Sequence, residues 1–542
     1  MNEMHVYLLQ HLLRNSADRF PDQKAVVCKE DSITYADLNI KSDQLSQALT
    51  QLGVKTGDRV GLMLNKSIES VICIFGILKS GASYVPVDPL APASRIVYII
   101  NNCEIQLLLT SSQDADKLIP NLDTNSALRK VLIIEGDARQ LTEQYKNPEI
   151  IPRERLFLNG KGRIQSNITD IDPAYILHTS GSTGKPKGVV ISHLNALTFV
   201  NTASDFFGIN TTDKLCCQAP LHFDLSVFDI FVAIKSGATI IMIPEFLSMF
   251  PVKLAGYIDR NNISIWNSVS SVLALLAHRG GLESFQFKSL RIVHFSGDIL
   301  PVKYLRILKK HIRNASFYNI YGQTEANSSM CYHIKDIPDD DAWKIPIGKP
   351  FPNFEVFATN DNREVITRPG EEGELYVKSS AVATGYWHDE KMTDEQFVTD
   401  PRDSLHNSKV YKTGDIVRID RDDNFVFIGR KDRVIKSRGY RIELDEIEVT
   451  LTNHPLINQA AVINVPDELF GNRIIAYVSP IEERKLETSD LLDHCSKFLP
   501  GYMIPEVIEI YDSLPATSNG KVDRKVLKNE AMRNSLIGKP LV

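Results

Sequence analysis

The stretch HTSGSTGKPKGVV, from His178 to Val190, gathers residue types that hold an anion. Gly181 and Gly184 permit a tight turn with inward-facing amides. Thr179, Ser180, Ser182 and Thr183 offer hydroxyl donors, and Lys185 and Lys187 add positive charge. That is chemistry for a phosphate group. It is not a Walker A loop, because Gly181 and Gly184 stand too close together and Lys185 is followed by Pro186 instead of Ser or Thr. Taken alone, the stretch reads more readily as a surface loop. The rest of the chain decides between the two.

Strand-like segments, AYILH and VVIS, flank the loop. Up to about residue 325, short apolar runs alternate with helical periodicity. DRVGLML precedes KSIESVICIFGILKSGA; later ATIIMIP, PVKLAGYIDRNN, ISIWNSV, SSVLALLAHRG, LRIVHFSG and PVKYLRILKKHI follow in turn. Such alternation predicts an α/β fold of parallel βαβ sheets. FEVFATND, GELYVKS and NFVFIGR then read as strands with little helix between them, which predicts a small β-barrel. After GRKDR the chain becomes a smaller α+β unit, with ELDEIEVTLTNHPLI as helix and AAVINVP and RIIAYVSP as strands. At 542 residues the chain is too long for one core. The expected division is a core domain over residues 1–431 and a mobile C-terminal domain over 432–542, joined in the charged segment at Asp432.

The net charge of −6 gives no overall electrostatic footprint for nucleic acid or anionic membrane. No apolar run reaches the roughly 20 residues of a membrane span, and SVICIFGILKSGA reads as a buried helix. The N-terminus, MNEMHVYLLQHLLRNSADRF, is amphipathic and lacks the apolar centre of a signal peptide. Seven cysteines without a CxxC pair fit free thiols in a reducing cytoplasm.

An ordered series of motifs then resolves the loop. ITYADL (33–38), LKSGASYVPVD (78–88), the glycine loop, FDLS (223–226), NIYGQTE (319–325) and GELYVKSSAVATGYW (373–387) come first. YKTGD (411–415), GRKDRVIKSRGYRIELDEIE (429–448), LPGYMIP (499–505) and NGKVDR (519–524) complete the series. In this order the chain resembles the adenylate-forming superfamily, most closely the amino-acid-activating adenylation domains of nonribosomal peptide synthesis. It departs at Gln323, where the family usually has Pro and little consequence is expected, and at Ser437, where Ile is common.

The resemblance implies two half-reactions. ATP and a carboxylate give an acyl adenylate and pyrophosphate, and a phosphopantetheine thiol then takes the acyl group. Lys521 matches the family's catalytic lysine, whose mobile ammonium suits developing negative charge. Glu325 is implied as the Mg²⁺ ligand and Thr324 as an α-phosphate donor, with Thr179, Ser180, Gly181, Ser182, Thr183 and Lys187 about the phosphates. Tyr321 is implied beneath adenine, and Asp415 and Arg430 at the ribose. Asp224 matches the aspartate that pairs with the α-ammonium of an amino acid; on spacing alone it reads equally as a helix N-cap. Phe223, Leu225, Phe228, Asn267, His294, Ser296, Ile320, Ser328 and Ser329 match the side-chain pocket, whose small size favours proline, with serine, alanine, D-alanine or a β-amino acid open. Asp432 matches the family hinge, and Gly439 the lining of the thiol channel. NGKVDR is followed only by the run to Val542, and no GGxS carrier signature occurs. The expectation is therefore a freestanding, monomeric, cytoplasmic ligase served by a carrier protein in trans. An acyl- or aryl-CoA ligase of the same superfamily is the alternative.

Overall fold

The computed structural model describes residues 5–157, 167–181, 183–403, 407–481, 486–517 and 522–536. Two large sheets organise the first part of the chain. One has nine strands, in the order Lys349–Pro350, Asn327–Ile334, Ser316–Gln323, Ile292–Ser296, Ile265–Val269, Lys214–Cys217, Thr239–Met242, Lys24–Cys28 and Asp31–Thr34. From Ser316–Gln323 to Lys24–Cys28 its neighbours are parallel. The other has eight strands, and it is parallel from Pro173–Thr179 through Ser83–Pro86, Arg59–Met63, Leu107–Ser111 and Lys130–Glu135 to Glu149–Ile151. Strands covered on both faces explain the unbroken apolar runs in the sequence.

Helices between the sheets bury those runs. The helix Ile68–Lys79 opens on a reciprocal Ser67–Ser70 capping box and is buried from Ser70 to Leu78, as its sequence predicts. His193–Phe206 opens on the equivalent Ser192–Asn195 pair. Phe75 and Phe231 meet edge to face in the core these helices share with both sheets. Truncating Phe75 to Ala would cost about 3–5 kcal/mol.

The strands expected as a small barrel form a five-stranded antiparallel sheet, with Lys409–Ile419 pairing Glu372–Lys378, Phe397–Thr399 and Phe425–Arg430. Beyond it, a hairpin of Val434–Ser437 and Tyr440–Glu443 leads into the helix Leu444–Thr452 and a three-stranded sheet of Ile457–Asp467, Gly471–Pro480 and Val507–Ile510. The helix is shorter than ELDEIEVTLTNHPLI suggested. It stops at Thr452 because Pro455 has no amide to continue it, and Ile457 already belongs to a strand. No helix among the described residues is long and apolar enough to cross a membrane.

Candidate active site

The glycine loop joins the antiparallel strands Pro173–Thr179 and Lys187–Ser192, so it closes a hairpin and does not lead into a helix. Its turn needs glycine at 184, where φ is +80° and a Cβ would lie 2.9 Å from Val449. Thr179 keeps a buried hydroxyl without a partner among the described residues, and Thr183 is exposed. Ser182 lies outside the described residues. Ser180 and Gly181 are engaged by the C-terminal hairpin and the helix after it. The Ser180 hydroxyl donates to the Arg441 carbonyl at 2.8 Å and accepts from the Glu443 amide at 3.1 Å, while the Gly181 amide donates to Glu446 at 3.1 Å. A carboxylate thus sits on an amide suited to a phosphate oxygen.

Glu325 and Lys187 face the same hairpin. Glu325 has no exposed surface, and Arg441 grips its carboxylate through one guanidinium nitrogen at 3.0 and 2.8 Å. The Tyr386 hydroxyl donates to it at 2.8 Å, and the Lys187 ammonium stands 3.9 Å away. Burial opposes ionisation of Glu325, but Arg441, Lys187 and Tyr386 outweigh it and hold the carboxyl at about 2. Lys187 also lies 3.6 Å from Glu443, and burial beside Arg441 lowers its pKa.

Asp415 is buried, and its two oxygens are divided. One meets Arg430, whose guanidinium also grips Asp432 at 2.6 Å; the other accepts from Tyr321 at 2.5 Å and Gln323 at 2.6 Å. Gln323, expected to matter little, is a working member of this cluster. Proline there would remove both its bond to Asp415 and its bond to the Tyr321 hydroxyl. Ser437, the other departure, ties the hairpin to the C-terminal sheet by donating to Asn472 at 2.6 Å. The Tyr321 ring packs with Met330, Ile347 and Leu375, and the Lys436 ammonium stands 5.9 Å from its centre.

A cavity of 110 Å³ opens at the carboxyl ends of Ile265–Val269, Ile292–Ser296 and Ser316–Gln323, where ligands bind in open parallel sheets. Asp224 lines it, held by the Thr324 hydroxyl at 2.8 Å, and makes no capping bond to the helical turn that begins at Leu225. Burial raises the Asp224 pKa, and the Thr324 bond and the Lys436 charge counter it. Phe223, Leu225, Phe228, Asn267, His294, Ser296, Ile320 and Ser328 line the same cavity. Ser329 lies behind it, buried beneath the Tyr321 carbonyl. Gly439 reaches it from the hairpin turn. Beside the cavity, a cleft of 1090 Å³ runs between Leu221, Phe223 and Val269 on one side and Tyr440, Phe470 and Tyr502 on the other. Tyr440 and Tyr502 stack at 3.8 Å across 8°.

Sequence reading missed Arg441 and Lys436 as site residues. They are register partners across the Arg438–Gly439 turn, so they share one face of the hairpin, and period-two alternation about that turn was the available signal. It also missed Phe207, which lines the pocket, and Asp229, which lies behind it and bonds Asn267. Lys521 lies outside the described residues. Its neighbours Val522 and Arg524 belong to the C-terminal domain, where Val522 bridges Ala516 and Arg524 pairs with Glu448.

Two largely parallel sheets, with a loop rich in hydroxyls and amides and a cavity lined by Asp224 at the strand ends, suit an enzyme that handles a nucleotide. The comparisons agree. The AMP-binding enzyme family matches residues 13–387, and the AMP-binding enzyme C-terminal domain matches residues 446–521. An L-proline–[L-prolyl-carrier protein] ligase of Pseudomonas fluorescens is 35% identical over 96% of this chain and 99% of its own length. A ligase of the same description from Streptomyces coelicolor is 34% identical over 92% of both chains. Against multimodular relatives the chain spans a part: it covers 44% of tyrocidine synthase 1 of Brevibacillus parabrevis, at 32% identity. Among solved structures, an adenylation domain of Vibrio cholerae in complex with glycyl-adenosine-5′-phosphate superposes with a TM-score of 0.82 over 98% of this chain and 99% of that one, at 23% identity, and so shares the fold. The chain belongs to the AMP-binding enzymes and is an adenylating ligase.

Proposed function

We propose that the enzyme activates an amino acid, proline or another small one, as its aminoacyl adenylate and passes the acyl group to the phosphopantetheine thiol of a separate carrier protein. The names of the two ligase relatives favour this reading. Asp224 carries it: a carboxylate facing the cavity, fixed by Thr324 and capping no helix, suits an α-ammonium, whose charge offsets the cost of burying the acid.

In the first half-reaction the substrate carboxylate bonds to the α-phosphorus of ATP as the bond to pyrophosphate breaks. The protein's part is positioning and charge. Thr179, Ser180, Gly181, Ser182, Thr183 and Lys187 hold the phosphates, with Thr324 at the α-phosphate. Tyr321 serves adenine, and Asp415 and Arg430 serve the ribose. Lys521 meets the charge developing on the reacting oxygens. Among the described residues no group of three or more metal ligands forms a cage. The single, ionised Glu325 instead fits Mg²⁺ held by one carboxylate together with phosphate oxygens, where the ion would neutralise phosphate charge. In the second half-reaction the C-terminal domain, residues 432–542, turns about Asp432 against the core of residues 1–431 and brings Gly439 to the thiol channel. The enzyme acts as a cytoplasmic monomer, and its seven unpaired cysteines suit a reducing compartment.

Amino-acid-dependent exchange of labelled pyrophosphate into ATP tests this reading. A small amino acid is expected to support exchange, and Asp224→Ala to lower it about a hundredfold. Exchange with acids lacking the amine, undiminished in Asp224→Ala, would assign the enzyme to the acyl- or aryl-CoA ligases instead.

A further inference from the structure

The floor of the cavity holds two polar side chains with polar atoms that have no partner among the described residues. Asn267 and His294 are register partners on adjacent parallel strands, so they project from the same face of the sheet, and both are more than 95% buried. The Asn267 amide nitrogen donates to Asp229 Oδ1 at 3.0 Å and to the Leu225 carbonyl at 3.3 Å. A carbonyl can only accept, so the orientation of the amide is fixed. Its Oδ1 is the remaining acceptor and has no partner among the described residues. His294 is clamped between Phe207, stacked at 5.2 Å across 12°, and the edge of Phe228 at 4.5 Å. Neither of its ring nitrogens has a partner among the described residues. Burial pushes its pKa down to about 3, so the ring is neutral and keeps one N–H and one lone pair.

We infer that the enzyme selects a short amino acid whose side chain carries a hydroxyl or thiol, in preference to proline, and that Asn267 and His294 determine this choice. The inference rests on the amino-acid-activating reading above. A side-chain O–H or S–H donates to Asn267 Oδ1, and its oxygen or sulfur accepts from the imidazole N–H. A wholly apolar side chain leaves both groups buried and unpaired, which is how a polar site rejects the analogue without the hydroxyl. Leu225, whose carbonyl orients Asn267, directly follows Asp224, which brings the pair within a short side chain of the amine site. Asp229 is a positioning residue, since it touches Asn267 and not the cavity.

The test is pyrophosphate exchange by the intact enzyme with serine, threonine and cysteine against proline, alanine and 2-aminobutyrate, the last matching cysteine in shape without the thiol. One hydroxyl or thiol amino acid should exceed 2-aminobutyrate and proline in kcat/KM by at least about a hundredfold. In His294→Phe and Asn267→Leu that ratio should fall below about ten, with circular dichroism and thermal unfolding like the parent's as the mark of a folded protein. Asp229→Asn should raise KM for the preferred substrate more than it lowers kcat. Proline or alanine as the best substrate of the unaltered enzyme would overturn this inference and leave amino-acid activation standing. Exchange with amine-free acids and with no amino acid would overturn both.

Discussion

Glu325 shows how the site reconciles burial with charge. A fully buried carboxylate is costly unless paired, and here Arg441, Lys187 and Tyr386 together over-compensate. The sign of the pH dependence follows. The folded pKa, about 2, lies below the ordinary glutamate value of 4.5, so the stabilisation is complete above pH 4.5 and is lost as pH falls towards 2. That difference corresponds to about 3 kcal/mol. Glu325→Gln should therefore unfold at lower urea than the parent at pH 7, and the gap should close between pH 4.5 and 2. A gap that stays constant over that range would show that Glu325 is not the group being titrated. The same variant should lose most pyrophosphate exchange at pH 7, because it removes the carboxylate assigned to Mg²⁺.

The hairpin Val434–Glu443 is the element that brings C-terminal residues to the site, and its turn explains why. Arg438 and Gly439 both have positive φ, +54° and +84°, and a Cβ on Gly439 would fall 2.6 Å from Val269. Gly439→Ala should keep pyrophosphate exchange within about twofold yet slow acyl transfer to a phosphopantetheine thiol at least about tenfold, since the clash with Val269 falls on the docked hairpin alone. Single-turnover exchange and thiol-loading assays separate the two. An equal loss in both would refute a role confined to transfer. Much at this scale was legible in the sequence. Buried parallel strands declared themselves as apolar runs, SVICIFGILKSGA read as a buried helix, and the glycine loop lay between two strand-like segments. What escaped was tertiary. Nothing local to RIE says that Arg441 meets Glu325, 116 residues earlier, and nothing in FDI says that Asp229 fixes the amide of Asn267. Gln323 looked neutral because its role depends on Asp415, which arrives from another sheet.

Across the whole molecule, the C-terminal domain occupies the groups proposed above to hold the phosphates. Arg441 and Glu446 take the Ser180 hydroxyl and Gly181 amide, Arg441 takes Glu325, and Arg95 pairs with Glu446 in a buried bridge. On the proposed phosphate roles, this docked arrangement and a phosphate-loaded loop exclude each other, and ATP would bind only the fraction of molecules in which the hairpin has left. Apparent affinity for ATP is then the intrinsic affinity reduced by that fraction. Removing the strongest contact should raise the fraction and deprive transfer of its docked state. Arg441→Ala is accordingly expected to lower the KM for ATP in pyrophosphate exchange by about three- to tenfold while reducing acyl transfer to a phosphopantetheine thiol by a similar or larger factor. Opposite movement of the two half-reactions is the signature of a shared conformational equilibrium. A parallel loss in both would mean that Arg441 supports the site in each state, and that the hairpin does not compete with ATP.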